Sequence, residues 1–202
     1  MKFAKVLPAF SMRQNLIVVT GLIVSALLCY MFSSTSVIFV YNRQLIMGGE
    51  WWRLFTGHLV HLSFSHLALN IAVLIIILFL GNATLQGLPR VIFMSVMAIG
   101  PCLFLLDSRL QVYGGLSGVT SACIGYSLKR AYHLGTKRSK LLYGTLLVGC
   151  LAKIILEFFS KQPFFSTLPR GVENVPLSHL IGYLIALLPY RSEVLPALPA
   201  RL

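Results

Sequence analysis

The sequence predicts an all-α membrane protein with six transmembrane helices and both termini in the cytoplasm. Three observations lead to this class. Hydrophobic residues make up 57% of the 202 residues, and the mean hydropathy is +0.83. Only 11% of the residues are charged, whereas soluble domains carry roughly 25%. The apolar residues also gather into runs long enough to cross the ~30 Å hydrocarbon core of a bilayer.

Six apolar runs are candidates for the membrane spans. At about 1.5 Å of rise per residue each run reaches across the bilayer core, although the shorter ones barely do so. They are Leu16 to Phe32, Leu67 to Gly81, Val91 to Leu106, Val112 to Leu128, Leu141 to Phe159 and Asn174 to Tyr190. The first run follows basic residues, as in a signal peptide, but it is long and no clear cleavage site follows it. We therefore expect an uncleaved first span and a single membrane domain over residues 1–202.

The basic residues predict the orientation of these spans. When six spans alternate, most of the 17 Lys and Arg residues fall on the side that holds both termini. Such residues accumulate in cytoplasmic loops. Their densest group follows the fourth span and consists of Lys129, Arg130, Lys137, Arg138 and Lys140. The first outer loop, at about 33–65, carries Trp51 and Trp52 beside Arg53, a mixture that suits the membrane interface.

Charge and cysteine content limit the partners. A net charge of +12 could indicate nucleic acid, but the basic residues lie between apolar runs and not on one face of a soluble domain. We therefore expect the lipid bilayer as the partner and no nucleic acid. The four cysteines all lie in apolar runs without metal-ligand spacing, which predicts buried structural thiols. His58 and His61 also lack a further ligand at zinc-binding spacing, so no metal or cofactor is predicted.

The start of the fourth run is the most unusual stretch of the chain. Gly114, Gly115 and Gly118 surround a single Ser117 just where an apolar helix would begin. Backbone that leaves helical geometry at membrane depth is tolerated only where it is buried in protein or faces a water-filled cavity. This stretch therefore predicts a wet pocket within the bilayer, with a serine at its mouth.

Polar residues of the second, fourth and sixth spans are predicted to lie at one depth. Asn70, Ser117 and His179 each precede the inner end of their span by twelve residues, taking Asn82, Lys129 and Arg191 as those ends. Twelve helical residues rise ~18 Å, which leaves all three side chains roughly 10 Å below the outer edge of the core. Polar groups inside a membrane usually face the bundle interior or a cavity. The three residues therefore predict one shared site.

A serine and a histidine at equal depth have a specific chemical use. The hydroxyl of Ser117 is a weak nucleophile until a neighbouring imidazole, here His179, accepts its proton. The tetrahedral oxyanion that follows needs hydrogen-bond donors. The candidates are the backbone amides at the start of the helix (Leu116 and Ser117), the Asn70 amide and His66, which lies one turn from Asn70. Since no Asp or Glu is placed to orient His179, the prediction is a Ser–His dyad.

The segments GGLSG, SHLIG and WRLFTGHLVHLSFSHLALN resemble the rhomboid family of intramembrane serine proteases, over about Glu50 to Leu188. The resemblance implies a rhomboid-like bundle of six helices with its catalytic core at about 50–188. It also implies Ser117 as nucleophile, His179 as base, and His66 with Asn70 in the oxyanion hole. His61 matches a further histidine of the family's second-span motif.

A finer resemblance is to the rhombosortases, through the compact size and the segments TGHLVHLSFSHL and LLVGCLAKIILE. It implies exported protein substrates with a C-terminal tail of a Gly-Gly motif, a hydrophobic span and a basic cluster. It further implies a bacterial inner membrane location, with the active site open to the extracytoplasmic side. Lys153 and Glu157 match the subfamily's lysine and glutamate. Ser121 and Ser178 depart from better-known rhomboids, which carry an aromatic residue and an alanine there.

The same residues could also have purely structural roles in helix packing. Ser117, Ser121 and Gly125 form a row of small residues that could serve only helix packing, and Gly182 would permit close helix contact beside His179. Lys153 and Glu157 are four residues apart, so they could be a neutralised pair that fixes helix packing or a substrate-related pair.

Two other functions remain open from the sequence. One is a catalytically inactive rhomboid-like protein that binds membrane clients, against which the intact Ser117, His179 and Asn70 argue. The other is a small transporter that uses Lys153, Glu157 and the histidines as a polar pathway. Transport that survives Ser117→Ala would favour the second.

Overall fold

A computed structural model describes residues 12–32, 37–80, 85–160 and 174–189, and these residues are mostly helical. A helix lies at each of the six predicted apolar runs. The helices are α1 (Met12–Met31), α2 (Arg43–Met47), α3 (Arg53–Thr56), α4 (Phe64–Leu78), α5 (Leu88–Leu106), α6 (Ser117–Leu134), α7 (Lys137–Ser160) and α8 (Pro176–Leu187). A 3₁₀ turn at Gly57–Leu59 and two short strands, β1 (Tyr41–Asn42) and β2 (Val112–Tyr113), complete the described elements.

Three of the helices are long and apolar enough to cross a membrane, and a bent pair could add a fourth span. By length and composition, α1, α5 and α7 can each cross a membrane. The segment Arg53–Leu59 and α4 together could form a fourth span, bent by 87° at their junction. These helices make the chain a multi-pass membrane protein. The count of six spans stays a prediction, because only three or four segments among the described residues meet the length and composition of a span. The cytoplasmic location of the termini also stays a prediction, and residues 1–11 and 190–202 lie outside the described residues.

The fourth predicted span differs from its expected bounds. The sequence predicts a helix from Val112, but α6 begins only at Ser117, because Val112 and Tyr113 pair with β1 in an antiparallel ribbon. Tyr41 lies opposite Tyr113 in this ribbon. The fold is therefore not purely α-helical, and the ribbon ties the first outer loop to the turn before Ser117.

The C-terminal end of α6 also lies further along the chain than predicted. The helix continues past Lys129 and Arg130, whose side chains are buried. The Lys129 ammonium donates to the carbonyl of Leu188 at 2.8 Å, just beyond α8, and Arg130 donates to Gln86 at 3.1 Å. Basic groups at a helix C-terminus satisfy carbonyls that have no partner within the helix. These two residues therefore join neighbouring elements of the fold.

Helices α6 and α8 touch through their glycines. A Cβ atom added to Gly182 would collide with the carbonyl oxygen of Gly118, and one added to Gly118 would lie 2.8 Å from the carbonyl oxygen of Ser178. Small residues allow such backbone contact between membrane helices. The close contact expected at Gly182 is therefore present. It brings the start of α6, with Ser117, against the first turn of α8, with His179.

The first outer loop is held together by Arg53. Its buried guanidinium donates to Glu50 at 2.7 Å and to the carbonyls of Val37 and Val40 at 2.8 and 2.9 Å. Trp51 and Trp52 remain 55% and 46% exposed. Arg53 thus orders the loop internally and leaves the tryptophans outward, where they suit the membrane interface.

Candidate active site

The predicted polar residues line one cavity of about 560 Å³ between α4, α6, α7 and α8. The side chains at its wall that bear on chemistry are His66, Asn70, Ser117, Lys153, Glu157 and His179. Most of the remaining wall is apolar, with Leu69 and Val73 on α4 and Leu146 on α7. The structure therefore brings together the polar residues that the sequence predicts at one depth.

Ser117 is the first residue of α6, at the end of a tightly constrained turn. Gly115 in that turn has φ +129°, a conformation that residues with a side chain rarely adopt. A Cβ atom on Gly115 would also collide with the imidazole ring of His66. The hydroxyl of Tyr113 donates to the Gly115 carbonyl at 3.0 Å. Glycine is thus required here both for backbone conformation and for space, and the turn directs Ser117 into the cavity.

The contact between His179 and Glu157 corrects the sequence prediction. That prediction placed no carboxylate beside His179, yet Nδ1 of His179 lies 2.8 Å from Oε2 of Glu157. Both side chains are buried. An ionised carboxylate can only accept a hydrogen bond, so Nδ1 has to donate, and in a neutral ring it is then the protonated nitrogen. The other nitrogen, Nε2, then carries the lone pair that a general base needs.

Lys153 holds the second oxygen of the same carboxylate. Its ammonium lies 2.7 Å from Oε1 of Glu157, one helical turn away on α7. The ion pair predicted from the four-residue spacing is therefore present. Lys153 is 31% exposed and lines the cavity, whereas Glu157 is 1% exposed. The pair consequently extends from the cavity wall to His179.

Ser117 and His179 line the same cavity. Among the described residues, no hydrogen bond joins the Ser117 hydroxyl to the His179 ring. Hydrogen bonds between catalytic groups are often long in unliganded enzymes and tighten when substrate binds. The arrangement is therefore compatible with proton transfer from Ser117 to His179 in a substrate complex.

Two of the predicted oxyanion-hole donors, the Leu116 amide and the Asn70 side chain, already share a partner, which is His61. The Leu116 amide donates to Nε2 of His61 at 3.3 Å, and the Asn70 amide nitrogen lies 3.3 Å from the same atom. Asn70 also donates to the His66 carbonyl at 2.8 Å. Nδ1 of His61 lies 3.2 Å from the Leu59 carbonyl, so Nδ1 carries the proton and Nε2 accepts. His61 therefore occupies the acceptor position between two predicted donors.

Thr120 is a further member of the site that sequence reasoning did not identify. Its hydroxyl lies 3.0 Å from Oδ1 of Asn70 and 3.0 Å from the Ser117 carbonyl. The only available signal was its position one turn after Ser117. Through Thr120 the Asn70 amide is tied to the same helical turn that carries Ser117.

The histidines do not assemble into a metal centre. His61 and His66 have ring centroids 5.2 Å apart. His58 packs edge-on against Tyr113, with ring centroids 5.8 Å apart. In the described ranges, no group of three or more His, Cys, Asp or Glu side chains is arranged to hold a metal ion.

Comparison with protein families identifies the domain that surrounds this cavity. The family described as the rhomboid domain matches residues 48–190, which is most of the chain. The match includes every residue that lines the cavity. No curated protein sequence matches the chain.

Proposed function

The chain belongs to the rhomboid family, and on that premise we propose that it is an intramembrane serine protease with Ser117 as nucleophile and His179 as general base. Members of the family are typically intramembrane serine proteases, and these act on transmembrane substrates within the bilayer. One observation carries the assignment to these two residues. Ser117 and His179 line one cavity, and the hydrogen bond at Nδ1 leaves Nε2 of His179 able to accept a proton.

The proposed reaction is acyl transfer through a covalent intermediate. The Ser117 oxygen attacks the scissile carbonyl carbon while Nε2 of His179 takes the hydroxyl proton. The protonated imidazole then gives this proton to the leaving amine as the C–N bond breaks. Water hydrolyses the acyl-enzyme, with His179 again accepting and returning a proton. A substrate helix has to unwind at the cleavage site, since a regular helix keeps its carbonyls hydrogen-bonded.

The oxyanion is proposed to bind between the start of α6 and α4. The donors would be the amides of Ser117 and Leu116, together with the side chains of Asn70 and His66. The N-terminus of a helix favours negative charge, because its first amides lack helical partners and the helix dipole is positive there. Leu116 and Asn70 face the lone pair of His61 in this structure. An oxyanion that uses these two donors must therefore replace His61 as their acceptor.

The proposed substrates are exported proteins that carry a C-terminal anchor, as in rhombosortases. The sequence resemblance supports this class, and so does the presence of Lys153 and Glu157, the subfamily's pair, at the cavity. The apolar wall formed by Leu69, Val73 and Leu146 suits a hydrophobic segment. We place the protein in a bacterial inner membrane with the cavity open to the extracytoplasmic side, where exported proteins would be released.

Labelling with a tagged fluorophosphonate tests the catalytic assignment without a known substrate. The purified full-length protein in detergent is expected to react, whereas Ser117→Ala and His179→Ala are expected not to. Ser121→Ala is a matched control, because Ser121 lines the same cavity one turn later on α6. Equal labelling of Ser117→Ala would refute Ser117 as the nucleophile. A folded wild type that binds the probe reversibly without forming an adduct would favour the client-binding function.

A tail reporter tests the substrate class separately. A periplasmic reporter carrying a Gly-Gly motif, a hydrophobic span and a basic cluster is expected to be released by cells that express the wild type. Release should stop with Ser117→Ala. A reporter whose two glycines are replaced by leucine should stay anchored. Equal release of both reporters would argue against the rhombosortase-like specificity while leaving the protease assignment intact.

A further inference from the structure

The hydrogen bond between Glu157 and His179 lies at the centre of this inference. It joins α7 to α8 across 22 positions of sequence, at 2.8 Å between Oε2 and Nδ1. Such a length is typical of a hydrogen bond to an ionised carboxylate. We propose that Glu157 is a positioning residue for His179, a proposal that rests on the proposed protease function. The active site then operates as a Ser117–His179–Glu157 triad, with Lys153 keeping the glutamate ionised.

Burying the charged Glu157 side chain costs free energy unless the carboxylate is paired. Its side chain is 1% exposed, inside a protein whose surroundings are mostly lipid. Charged groups in such places are costly and usually pair with one another. Here each carboxylate oxygen has a separate partner, Oε2 with His179 and Oε1 with Lys153. A contact made only to pack two helices would not need a buried charge.

The carboxylate determines which nitrogen of His179 is protonated. Because an ionised Glu157 only accepts, Nδ1 has to donate and Nε2 has to carry the lone pair. When His179 takes the Ser117 proton, the imidazolium that forms faces a negative charge at 2.8 Å. The aspartate of serine-protease triads has these two roles, tautomer selection and imidazolium stabilisation. The geometry at Glu157 meets both requirements.

Lys153 is linked to His179 by hydrogen-bond contacts through Glu157. A carboxyl group buried in a low-dielectric site tends to take up a proton, and a nearby cation opposes this. A protonated Glu157 would donate to Nδ1 and leave the proton of a neutral His179 on Nε2, so the ring could not accept from Ser117. Lys153, at 2.7 Å from Oε1, therefore maintains the productive tautomer. Its side chain is 31% exposed, so it reaches the carboxylate from the cavity side.

Fluorophosphonate labelling rates test the triad. Glu157→Gln keeps the size of the side chain but removes its charge. We expect labelling to slow by about 10²- to 10⁴-fold, the upper value being the loss seen when a triad aspartate becomes asparagine. Glu50→Gln is the matched control, since Glu50 also forms an ion pair with a basic residue but lies in the outer loop, away from the cavity. It should label at the wild-type rate.

A double variant separates positioning from packing. Lys153→Met with Glu157→Gln removes both charges, so neither is left buried without a partner. If Glu157 positions His179, labelling by the double variant stays slow even though the protein is stable. If the pair only packs the helices, labelling returns to the wild-type rate and the proposal fails. The double variant also tests the proposal if the single variant Glu157→Gln does not fold.

Nitrogen-15 NMR spectra of histidine-labelled protein report which ring nitrogen of His179 is protonated. A purely structural role of Glu157 in helix packing would not change this. His179→Ala identifies the ring's signals by their loss. The wild type should show His179 protonated at Nδ1, and Glu157→Gln should shift the ring toward the Nε2-protonated form. An unchanged tautomer together with a wild-type labelling rate would overturn the triad. Labelling that persists in Ser117→Ala would instead overturn the proposed function, so the two failures are distinguishable.

Discussion

The amide of Leu116 donates to Nε2 of His61 at 3.3 Å, although 55 residues separate them. The same nitrogen accepts from the Asn70 side chain. One imidazole thus connects the turn before Ser117 with the polar face of α4. All three residues are buried, so each unpaired donor would cost free energy.

Replacing His61 is expected to destabilise the protein. His61→Ala removes the acceptor that Leu116 and Asn70 share. An unsatisfied buried donor costs about 1–3 kcal/mol, so the free energy of unfolding in detergent should fall by at least that much. Chemical denaturation of the purified protein measures it. His133→Ala is the control, since His133 is exposed in the last turn of α6. An unchanged stability of His61→Ala would show that water satisfies these donors.

Enlarging Gly182 is expected to separate the two helices that carry Ser117 and His179. A Cβ atom there would collide with the Gly118 carbonyl, and backbone cannot move aside as a flexible side chain can. Gly182→Ala should therefore lose about 1–3 kcal/mol of stability through overpacking, and fluorophosphonate labelling should slow with it. Gly21→Ala, where the added Cβ meets nothing within 4 Å, should not reduce either quantity. Normal labelling by Gly182→Ala would mean that α8 can shift without affecting His179.

The turn at Gly115 is expected to tolerate no side chain. Gly115→Ala adds strain at φ +129° and a collision with His66. Gly49→Ala is a useful comparison, because Gly49 has φ +107° but open space around it. Backbone strain of this kind costs about 1–3 kcal/mol, so both variants should lose stability. Only Gly115→Ala should also lose labelling beyond what unfolding explains. Equal labelling of the two folded variants would contradict a role for this turn in placing Ser117.

The Asn70 side chain is expected to act on the transition state. Removing one oxyanion-hole donor typically lowers the rate by about 10²- to 10³-fold. Asn70→Ala should slow cleavage of the tail reporter by a comparable factor, in kcat more than in KM. Kinetics of the purified variant with the reporter tail measure this. A change confined to KM would indicate that Asn70 contributes to substrate binding only.

Much of the architecture follows from local features of the chain. Apolar runs predicted helices at six places, and a helix lies at each of them. The spacing of Lys153 and Glu157 predicted their ion pair, because residues four apart share a helix face. The regular distance of Asn70, Ser117 and His179 from the inner ends predicted a common site, and the three line one cavity. In each case the information lies within a single helix or its composition.

The interpretation failed where distant segments meet. The β1–β2 ribbon pairs two-residue strands about 70 positions apart, too short to produce an alternating pattern. Because of this ribbon, α6 begins only at Ser117. The apolar run alone, which starts at Val112, could not predict this start. His61 and Thr120 join the site through contacts 55 and 50 residues apart in the chain. Such pairings depend on how the loop folds back over the helices.

The sequence by itself therefore determined the membrane class, the helix positions and the polar residues that converge on the cavity, because hydropathy and helical spacing are properties of short segments. Only the tertiary structure decided that Glu157, and not a solvent-filled gap, faces Nδ1 of His179. That contact depends on the rotation of α7 about its own axis relative to α8. The position of His179 relative to Ser117 depends instead on the close approach that Gly118 and Gly182 permit between α6 and α8. The rotation of a helix and the distance between two helices are determined by how the helices pack against each other. Neither can be read from the sequence of one helix.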